Sequence, residues 1–370
     1  MSARIFIWVQ HLLGFGHFAR AKTIAEALRD AGHAVTLVSG GVTPAEAVPA
    51  GVAFVQLPAA RAKDEMFDDL VDANGRDVDQ RWREARRDEL IAAFRRAEPD
   101  MLITETFPFG RRLLEFELLA LLDEARRAAQ RPKIVSSVRD VLQRPRKDER
   151  AMAMVARARE LYDAVLVHGD PNVLRLEESF AEAAGISARC VYTGYICADM
   201  PEPSGARREV LVSAGGGAAG RSLIGAAITA RASSRLSADP WTFVTGPLSE
   251  LPPTDAGASI VRSLPDFRAR LAGAAVSVSQ AGYNTLVETA RAGTPAVVVP
   301  FETDREREQL TRAEAFAARG LVRLVRAADA TPDALAEAID ATAGVLPPKS
   351  NIDFRGAAGT VRAVQMVLKR

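Results

Sequence analysis

Short β-rich runs alternate with longer helical patterns along most of this 370-residue chain, and that rhythm restricts the possible folds more than any other feature. Residues 4–9 read as a strand, 18–31 as a helix closed by Gly32, 35–39 as a second strand and 52–56 as a third after a Gly/Pro loop. Strands recur at 101–104, 134–137, 164–168 and 189–192, each separated from the next by enough chain for a crossover helix. The series predicts a parallel sheet covered on both faces.

The segment 61–98 interrupts this pattern with dense charge, and RWREARRDELIAAFRRAE carries Trp82, Leu90, Ile91 and Phe94 at helical spacing, as expected of a solvated amphipathic helix. Residues 199–208, DMPEPSGARR, hold two prolines, a glycine and no apolar run, and form the best linker candidate. A second α/β series follows, with strands expected at 209–212, 241–245, 260–262, 275–279, 296–300 and 321–325 and a last helix at 356–368. Length agrees, since about 150 residues per domain gives two domains. We expect an N-terminal domain over 1–198, a second over 209–348, and a C-terminal segment 349–370 packing back on the first. The fold class expected is α/β, with two Rossmann-like doubly wound domains facing a cleft and ligands bound beyond the carboxyl ends of the strands.

Forty-eight basic and 47 acidic residues nearly cancel, so no global field draws the chain to nucleic acid or anionic lipid, and any partner must be read by a local site. The two cysteines, Cys190 and Cys197, are too few for a disulfide framework and point to a reducing cytoplasm. The opening MSARIFIWVQ is neither a signal peptide nor a membrane span.

Glycine-rich turns carry the chemistry. After the first strand, GFGHFA places Gly14, Gly16 and Ala19 on the dinucleotide pattern G-x-G-x-x-G/A. The second strand ends Leu37-Val38-Ser39-Gly40-Gly41 without the ribose-binding acid that a nicotinamide enzyme needs, so a dehydrogenase is disfavoured. A tight turn with no ligand is the plainer alternative. In the second series, SAGGGAAG at 213–220 opens a helix. There Gly215, Gly216 and Gly217 let backbone N–H groups approach a phosphate, and Ser213 adds a hydroxyl. No Gly-Lys-Ser/Thr follows, which argues against ATP-driven phosphoryl transfer.

The stretch 279–313, SQAGYNTLVETARAGTPAVVVPFETDREREQLTRA, contains a strand end, a turn at Ser279-Gln280-Ala281-Gly282, a short helix with Asn284 and Thr285, and a polar helix from about Asp304. Glu288 can accept two hydrogen bonds from a vicinal diol such as a ribose. Thr285-x-x-Glu288 is also a capping box, a competing structural role. Asp304 and Gln309 suit sugar hydroxyls, or an N-cap and an exposed helix position.

These motifs, in this order, resemble the family 28 group of nucleotide-sugar glycosyltransferases of the GT-B fold. The N-terminal GFGHFARA at 14–21 is similar to the family's acceptor-side glycine loop, with His17 at its histidine. ETFPFGRRLLEFELLALL at 105–122 and SVRD at 137–140 look like a less-characterised branch of predicted glycosyltransferases. The resemblance implies a C-terminal donor domain in which Ser213 and Gly216 face the diphosphate, the backbone near Leu264 reads the base, Glu288 holds the ribose and Gln309 touches the sugar. It also implies a UDP-linked hexose or N-acetylhexosamine donor and an inverting transfer. On the acceptor side, 61–87 departs from the pattern. The acceptor is then a hydroxyl that is lipid-linked, on a polysaccharide or on a small molecule, with peripheral membrane contact as a further possible partner and no nucleic acid.

Sugar transfer requires a stabilised departing diphosphate and a base for the acceptor hydroxyl. His17, with an ordinary pKa of about 6.5, is the first choice of base, although a histidine there also suits a helix start. Glu105 and Asp140 are reserve bases at strand ends. Arg111, Arg112 and Arg139 suit an anionic acceptor, or structural ion pairs such as Arg111 with Glu115. His168 is expected to line the cleft or cap a helix, and His33 to lie on the surface. The only D-x-D, Asp77-Val78-Asp79, falls in the charged segment, so no metal and no cofactor is expected. Two rivals share the donor loops: a GT-B sugar-nucleotide epimerase and a non-catalytic nucleotide-binding module.

Overall fold

The computed structural model describes residues 2–12, 14–44, 47–63, 69–203, 205–214, 218–246, 258–303 and 306–370. The chain forms two compact units, the first comprising Met1–Pro171, Arg175–Ile196 and Arg355–Arg370 and the second Asn172–Leu174 with Cys197–Phe354.

In the first unit, β1 (Arg4–Val9) leads to α1 (Gly16–Asp30), β2 (Ala34–Ser39) and β3 (Ala53–Gln56). A hairpin of β4 (Ala60–Ala62) and β5 (Leu70–Asp72) precedes α2 (Gln80–Ala97) and β6 (Met101–Glu105). Then come α3 (Glu115–Arg127), β7 (Lys133–Arg139), α4 (Asp148–Leu161), β8 (Ala164–His168), α5 (Leu176–Ser179) and β9 (Cys190–Tyr192). The sheet is parallel in the order β3-β2-β1-β6-β7-β8-β9. Alternate residues of β1 serve opposite faces: Ile5, Ile7 and Val9 pack with Phe18, Ile24 and Leu28 of α1, while Phe6 and Trp8 pack with Leu90 and Phe94 of α2 and Leu118 of α3. Both faces are covered, so the strands read as near-continuous apolar runs.

The second unit repeats the plan with β10 (Val210–Ser213), α6 (Ala218–Ser233), β11 (Trp241–Val244), β12 (Ala258–Val261), α7 (Phe267–Gly273), β13 (Val276–Ser279), α8 (Tyr283–Ala292), β14 (Ala296–Val298), α9 (Glu308–Ala317), β15 (Arg323–Leu324) and α10 (Pro332–Thr342). Its sheet is parallel in the order β12-β11-β10-β13-β14-β15. In each sheet the first strand has its successor on one side and a later strand on the other. The order therefore reverses between β1 and β6 and between β10 and β13, where open α/β sheets leave a crevice at the strands' carboxyl ends.

The last helix, α11 (Gly356–Lys369), belongs to the first unit and packs on α1 and β8. Two glycines allow the approach. A Cβ on Gly359 would stand 1.8 Å from the Thr193 carbonyl oxygen, and one on Gly356 would stand 2.5 Å from that of Gly194. Among the described residues no helix is long and apolar enough to cross a membrane.

The charged segment contains the expected helix at Gln80–Ala97, capped by the Asp79 carboxylate on the Trp82 N–H at 2.7 Å, and Asp77 pairs with Lys63 at 2.8 Å. The helix is not solvated all round, because Arg86 is fully buried. Its guanidinium donates to both oxygens of buried Glu117, to Gln10 Oε1 at 2.8 Å and to the carbonyls of Gly40 and Pro58, using every N–H it has. Trp8 Nε1 donates to the same carboxylate at 3.1 Å. A buried ion pair stabilises little unless all its polar atoms are bonded, and here they are, which ties the chain leaving β1, β2 and β3 to α2 and α3.

Candidate functional site

The first unit gathers its polar residues where the strand order reverses. Gly14 is exposed with open space around it, and Gly16 begins α1, two residues earlier than its apolar periodicity indicates. This start puts His17 and Arg20 one turn apart on the same helix face. Glu105, the last residue of β6, is 1% exposed and faces both. Its Oε1 lies 2.7 Å from His17 Nδ1, accepts a bond from Thr106 Oγ1 at 2.7 Å and receives Arg20 Nη2, while Oε2 accepts from Arg111 Nη2 at 3.2 Å.

An ionised carboxylate can only accept, so the proton of neutral His17 sits on Nδ1 and the Nε2 lone pair is left over. Nε2 has no hydrogen-bond partner among the described residues, and the His17 side chain is 21% exposed. Burial, then the positive charges of Arg139 and Arg111, outweigh the pull of Glu105 and bring the His17 pKa down to about 3, so the ring is neutral at pH 7. Burial alone would raise Glu105, but facing His17, Arg111 and Arg20 hold its carboxyl well below the usual range. Both Glu105 oxygens are already engaged, by His17, Thr106 and Arg20 on one side and Arg111 on the other, so the arrangement fits Glu105 as the partner that orients His17 better than as a reserve base.

The other expected residues of this unit divide. Arg139 ends β7 and Asp140 follows it, fully buried beneath Gly169, whose Cβ would stand 2.8 Å from that of Asp140. Arg111 is spent on Glu105 and not on Glu115, which pairs with Arg157. His168 neither lines an opening nor caps a helix. It is fully buried, with Nε2 2.7 Å from Ser137 Oγ and Nδ1 2.8 Å from Thr193 Oγ1, and burial followed by the charge of Arg20 brings its pKa down to about 3. His33 is also buried, its Nδ1 3.2 Å from the Ala3 N–H, against the surface position expected.

In the second unit, Ser213 and Ser279 end adjacent strands and pair in register across the order reversal. Both hydroxyls are buried and lack a hydrogen-bond partner among the described residues. Unpaired buried hydroxyls are unfavourable in a finished core, and these stand where a ligand's polar atoms would satisfy them. Gly282 is the N-cap of α8 with nothing near its missing Cβ, and the following N–H groups of Tyr283, Asn284 and Thr285 belong to a helix N-terminus, where anions are favoured. Gly215, Gly216, Gly217 and Asp304 lie outside the described residues.

Because α8 begins at Tyr283, Thr285 is already helical and the Thr285–Glu288 capping box does not form. Glu288 is 14% exposed, and its Oε1 accepts from Arg268 Nε at 2.9 Å, which fixes the carboxylate and leaves acceptor capacity on its other oxygen. Gln309 lies in the first turn of α9, which begins at Glu308, later than expected, and its Oε1 accepts the Phe301 N–H at 2.9 Å. Its amide –NH₂ stays available. Leu264 is half-buried beside Phe267, whose N–H its carbonyl accepts at 3.3 Å.

Sequence reasoning missed Arg20, Thr106, Arg268 and Arg312. Arg312 is fully buried, donates to the Ala281 carbonyl at 3.2 Å and to Glu308 at 2.8 Å, and lies 5.5 Å over the Tyr283 ring, pinning the turn before α8. A signal existed for two of them: Arg20 and Arg312 sit on the apolar stripes of α1 and α9, where an arginine needs a buried partner. Among the described residues no cluster of His, Cys, Asp and Glu could hold a metal.

Residues 257–348 match the glycosyltransferase family 28 C-terminal domain. A UDP-N-acetylglucosamine--N-acetylmuramyl-(pentapeptide) pyrophosphoryl-undecaprenol N-acetylglucosamine transferase of Brucella canis is 39% identical over 72 residues, 20% of this chain and 19% of that protein. The match thus spans about a fifth of the curated relatives' length. Among solved structures, CalG4, the calicheamicin glycosyltransferase, superimposes with a TM-score of 0.65 at 17% identity, over 100% of this chain and 99% of that one. Acinetobacter baumannii MurG gives 0.58 at 14% identity over 99% and 100%. The fold is that of the GT-B glycosyltransferases.

Proposed function

Proceeding from a family 28 C-terminal domain on a GT-B frame, we propose that this chain transfers a sugar from a UDP-sugar to an acceptor hydroxyl. The observation that carries the reading is His17, whose Nδ1 is fixed by buried Glu105 while Nε2 has no hydrogen-bond partner among the described residues. In the reaction the acceptor oxygen forms its bond to the sugar's anomeric carbon as the bond from that carbon to the diphosphate breaks. The hydroxyl proton passes to His17 Nε2, and Glu105 stabilises the imidazolium that results. Attack opposite the leaving group inverts the anomeric centre, and no step calls on a metal or cofactor.

The second unit holds the donor. Ser213, Ser279 and the α8 N-terminus at Gly282 receive the diphosphate together with Gly215, Gly216 and Gly217, and their hydrogen bonds strengthen as negative charge develops on the leaving group. Glu288 takes the ribose hydroxyls, the backbone near Leu264 the base, and Asn284, Thr285, Asp304 and the Gln309 amide the sugar and its phosphates. In the first unit, Gly14 and Gly16 let an acceptor approach His17, while Arg111, Arg139 and buried Asp140 set the charge around it. The Brucella relative, a transferase of N-acetylglucosamine from UDP-N-acetylglucosamine to a pyrophosphoryl-undecaprenol, supports UDP-N-acetylglucosamine as donor and a lipid-linked hydroxyl as acceptor; an acceptor of that kind would bring the chain to a membrane surface. The unpaired Cys190 and Cys197 suit a cytoplasmic setting.

Thermal melts with UDP-N-acetylglucosamine test the donor half. Ligand at about 100 times its dissociation constant adds about 2.7 kcal/mol, a rise of about 5–10 °C for a unit of this size. Glu288→Ala should abolish the rise. His17→Ala should keep it, yet lower UDP release in the presence of hydroxyl acceptors by about 10²–10⁴-fold. No stabilisation by any UDP-sugar would end the reading, and an epimerised donor without released UDP would replace it with isomerisation.

A further inference from the structure

The turn that follows β6 is held in an unfavourable backbone conformation, and its side chains converge on one carboxylate. Thr106 has φ 66° and Arg111 φ 64°. The left-handed region is uncommon for any residue with a Cβ and a clear outlier for a β-branched one. The surroundings enforce it. The Thr106 N–H donates to the Ser137 carbonyl at 2.8 Å, its own carbonyl accepts from the Phe109 N–H at 2.8 Å, and Gly110 is required because a Cβ there would stand 2.6 Å from Thr106 Cγ2. Phe107 is anchored as well, its carbonyl accepting from Thr104 Oγ1 at 3.1 Å and Ser136 Oγ at 2.8 Å. The two left-handed residues both bind Glu105, Thr106 through Oγ1 and Arg111 through Nη2.

A turn needing only a change of direction would use glycine at these positions. We propose that Thr106 is a positioning residue: its unfavourable backbone is retained because it aims the hydroxyl at Glu105 Oε1, the oxygen that also meets His17 Nδ1. The bond at 2.7 Å blocks rotation of the carboxylate away from the imidazole and keeps the proton on Nδ1, with Nε2 open. Its catalytic consequence rests on the reading of His17 as base, but the geometry it describes is a property of the folded chain whatever the reaction.

The test uses Thr106→Gly, which relieves the backbone and deletes the hydroxyl, beside Thr106→Ser, which keeps the hydroxyl. The chain has four histidines, so ring ¹H–¹⁵N spectra of histidine-labelled protein are tractable, and His17→Gln assigns the signal. We expect His17 to be an Nδ1–H tautomer in the wild type and Thr106→Ser. In Thr106→Gly it becomes a mixture of tautomers with a titration midpoint at higher pH, while the melting temperature stays level or rises. With UDP-N-acetylglucosamine and an accepted hydroxyl, Thr106→Gly lowers kcat about five- to twentyfold with the donor KM unchanged. An unaltered His17 spectrum in Thr106→Gly would overturn the proposal. So would a fall in melting temperature with the spectrum intact, since Thr106 would then serve the fold alone. Absence of turnover in the wild type would instead count against sugar transfer and leave the spectra to decide on Thr106.

Discussion

Glu105→Gln keeps the side chain's size and removes one negative charge from a cluster that water hardly reaches. The carboxylate and the Arg20 side chain are each nearly inaccessible, and Arg111 is 10% exposed. Two guanidiniums therefore lose this counter-charge where solvent cannot replace it. Removing one partner of a buried ion pair costs about 3–5 kcal/mol, and at about 2–4 °C per kcal/mol for a unit of this size the melting temperature should fall by about 6–20 °C. A second effect is chemical. The amide can turn its –NH₂ toward His17, which moves the ring proton to Nε2 and occupies the lone pair that would take the acceptor's proton. Holding a catalytic imidazole in the wrong tautomer lowers kcat by up to about 10⁴-fold. Melts and UDP-release assays of Glu105→Gln, with Glu105→Asp as the variant that keeps the charge, separate the two effects. A melting temperature within about 2 °C of wild type would refute the electrostatic argument. A destabilised variant with an undiminished rate would refute the orienting role of Glu105.

Acid should weaken the fold before carboxylates titrate. His17 and His168 have folded pKa values of about 3 against 6.5 in the unfolded chain, so between those values the unfolded state binds more protons and stability falls as pH falls. The slope reaches about 1.4 kcal/mol per pH unit for each ring. Glu105 adds to this only lower, because its depressed pKa stabilises the fold above the unfolded value and that share fades as pH drops toward the folded one. Urea midpoints at pH 6.5 and 5.0 should differ clearly, and equal midpoints would count against both burials. Activity, by contrast, should lack an acid limb near pH 6.5, since His17 is already in its base form well below that. Gly359→Ala should destabilise by about 1–3 kcal/mol or more despite alanine's better helix propensity, because its Cβ meets the Thr193 carbonyl oxygen at 1.8 Å. A higher melting temperature in that variant would show that α11 does not seat as described.

How far the chain can be read without coordinates varies from element to element. Each expected strand of the two main sheets exists, because parallel strands buried on both faces must be near-continuous apolar runs and little else produces them. The hairpin Ala60–Ala62 with Leu70–Asp72 escaped notice, since three-residue strands inside a charged segment leave no period to detect. Helix starts erred for a related reason. The α1 helix begins at Gly16, and α8 begins at Tyr283 behind Gly282, so neither start carries the Ser, Thr, Asp or Asn that usually marks one. That shift of a few residues decides whether Thr285 and Glu288 form a cap or Glu288 pairs with Arg268 instead.

Local chemistry already marks the glycine turns, His17 and Glu288 as residues of interest, because a bend free of side chains and an isolated titratable group are properties of a few neighbouring positions. Which charges meet is another matter. Glu105 lies 88 residues from His17 and 85 from Arg20, and Arg86 lies 31 from Glu117. Such pairings arise only when sheet order brings β1 beside β6 and α2 beside α3, and electrostatic energy depends on distance and burial, neither of which a linear string of residues contains.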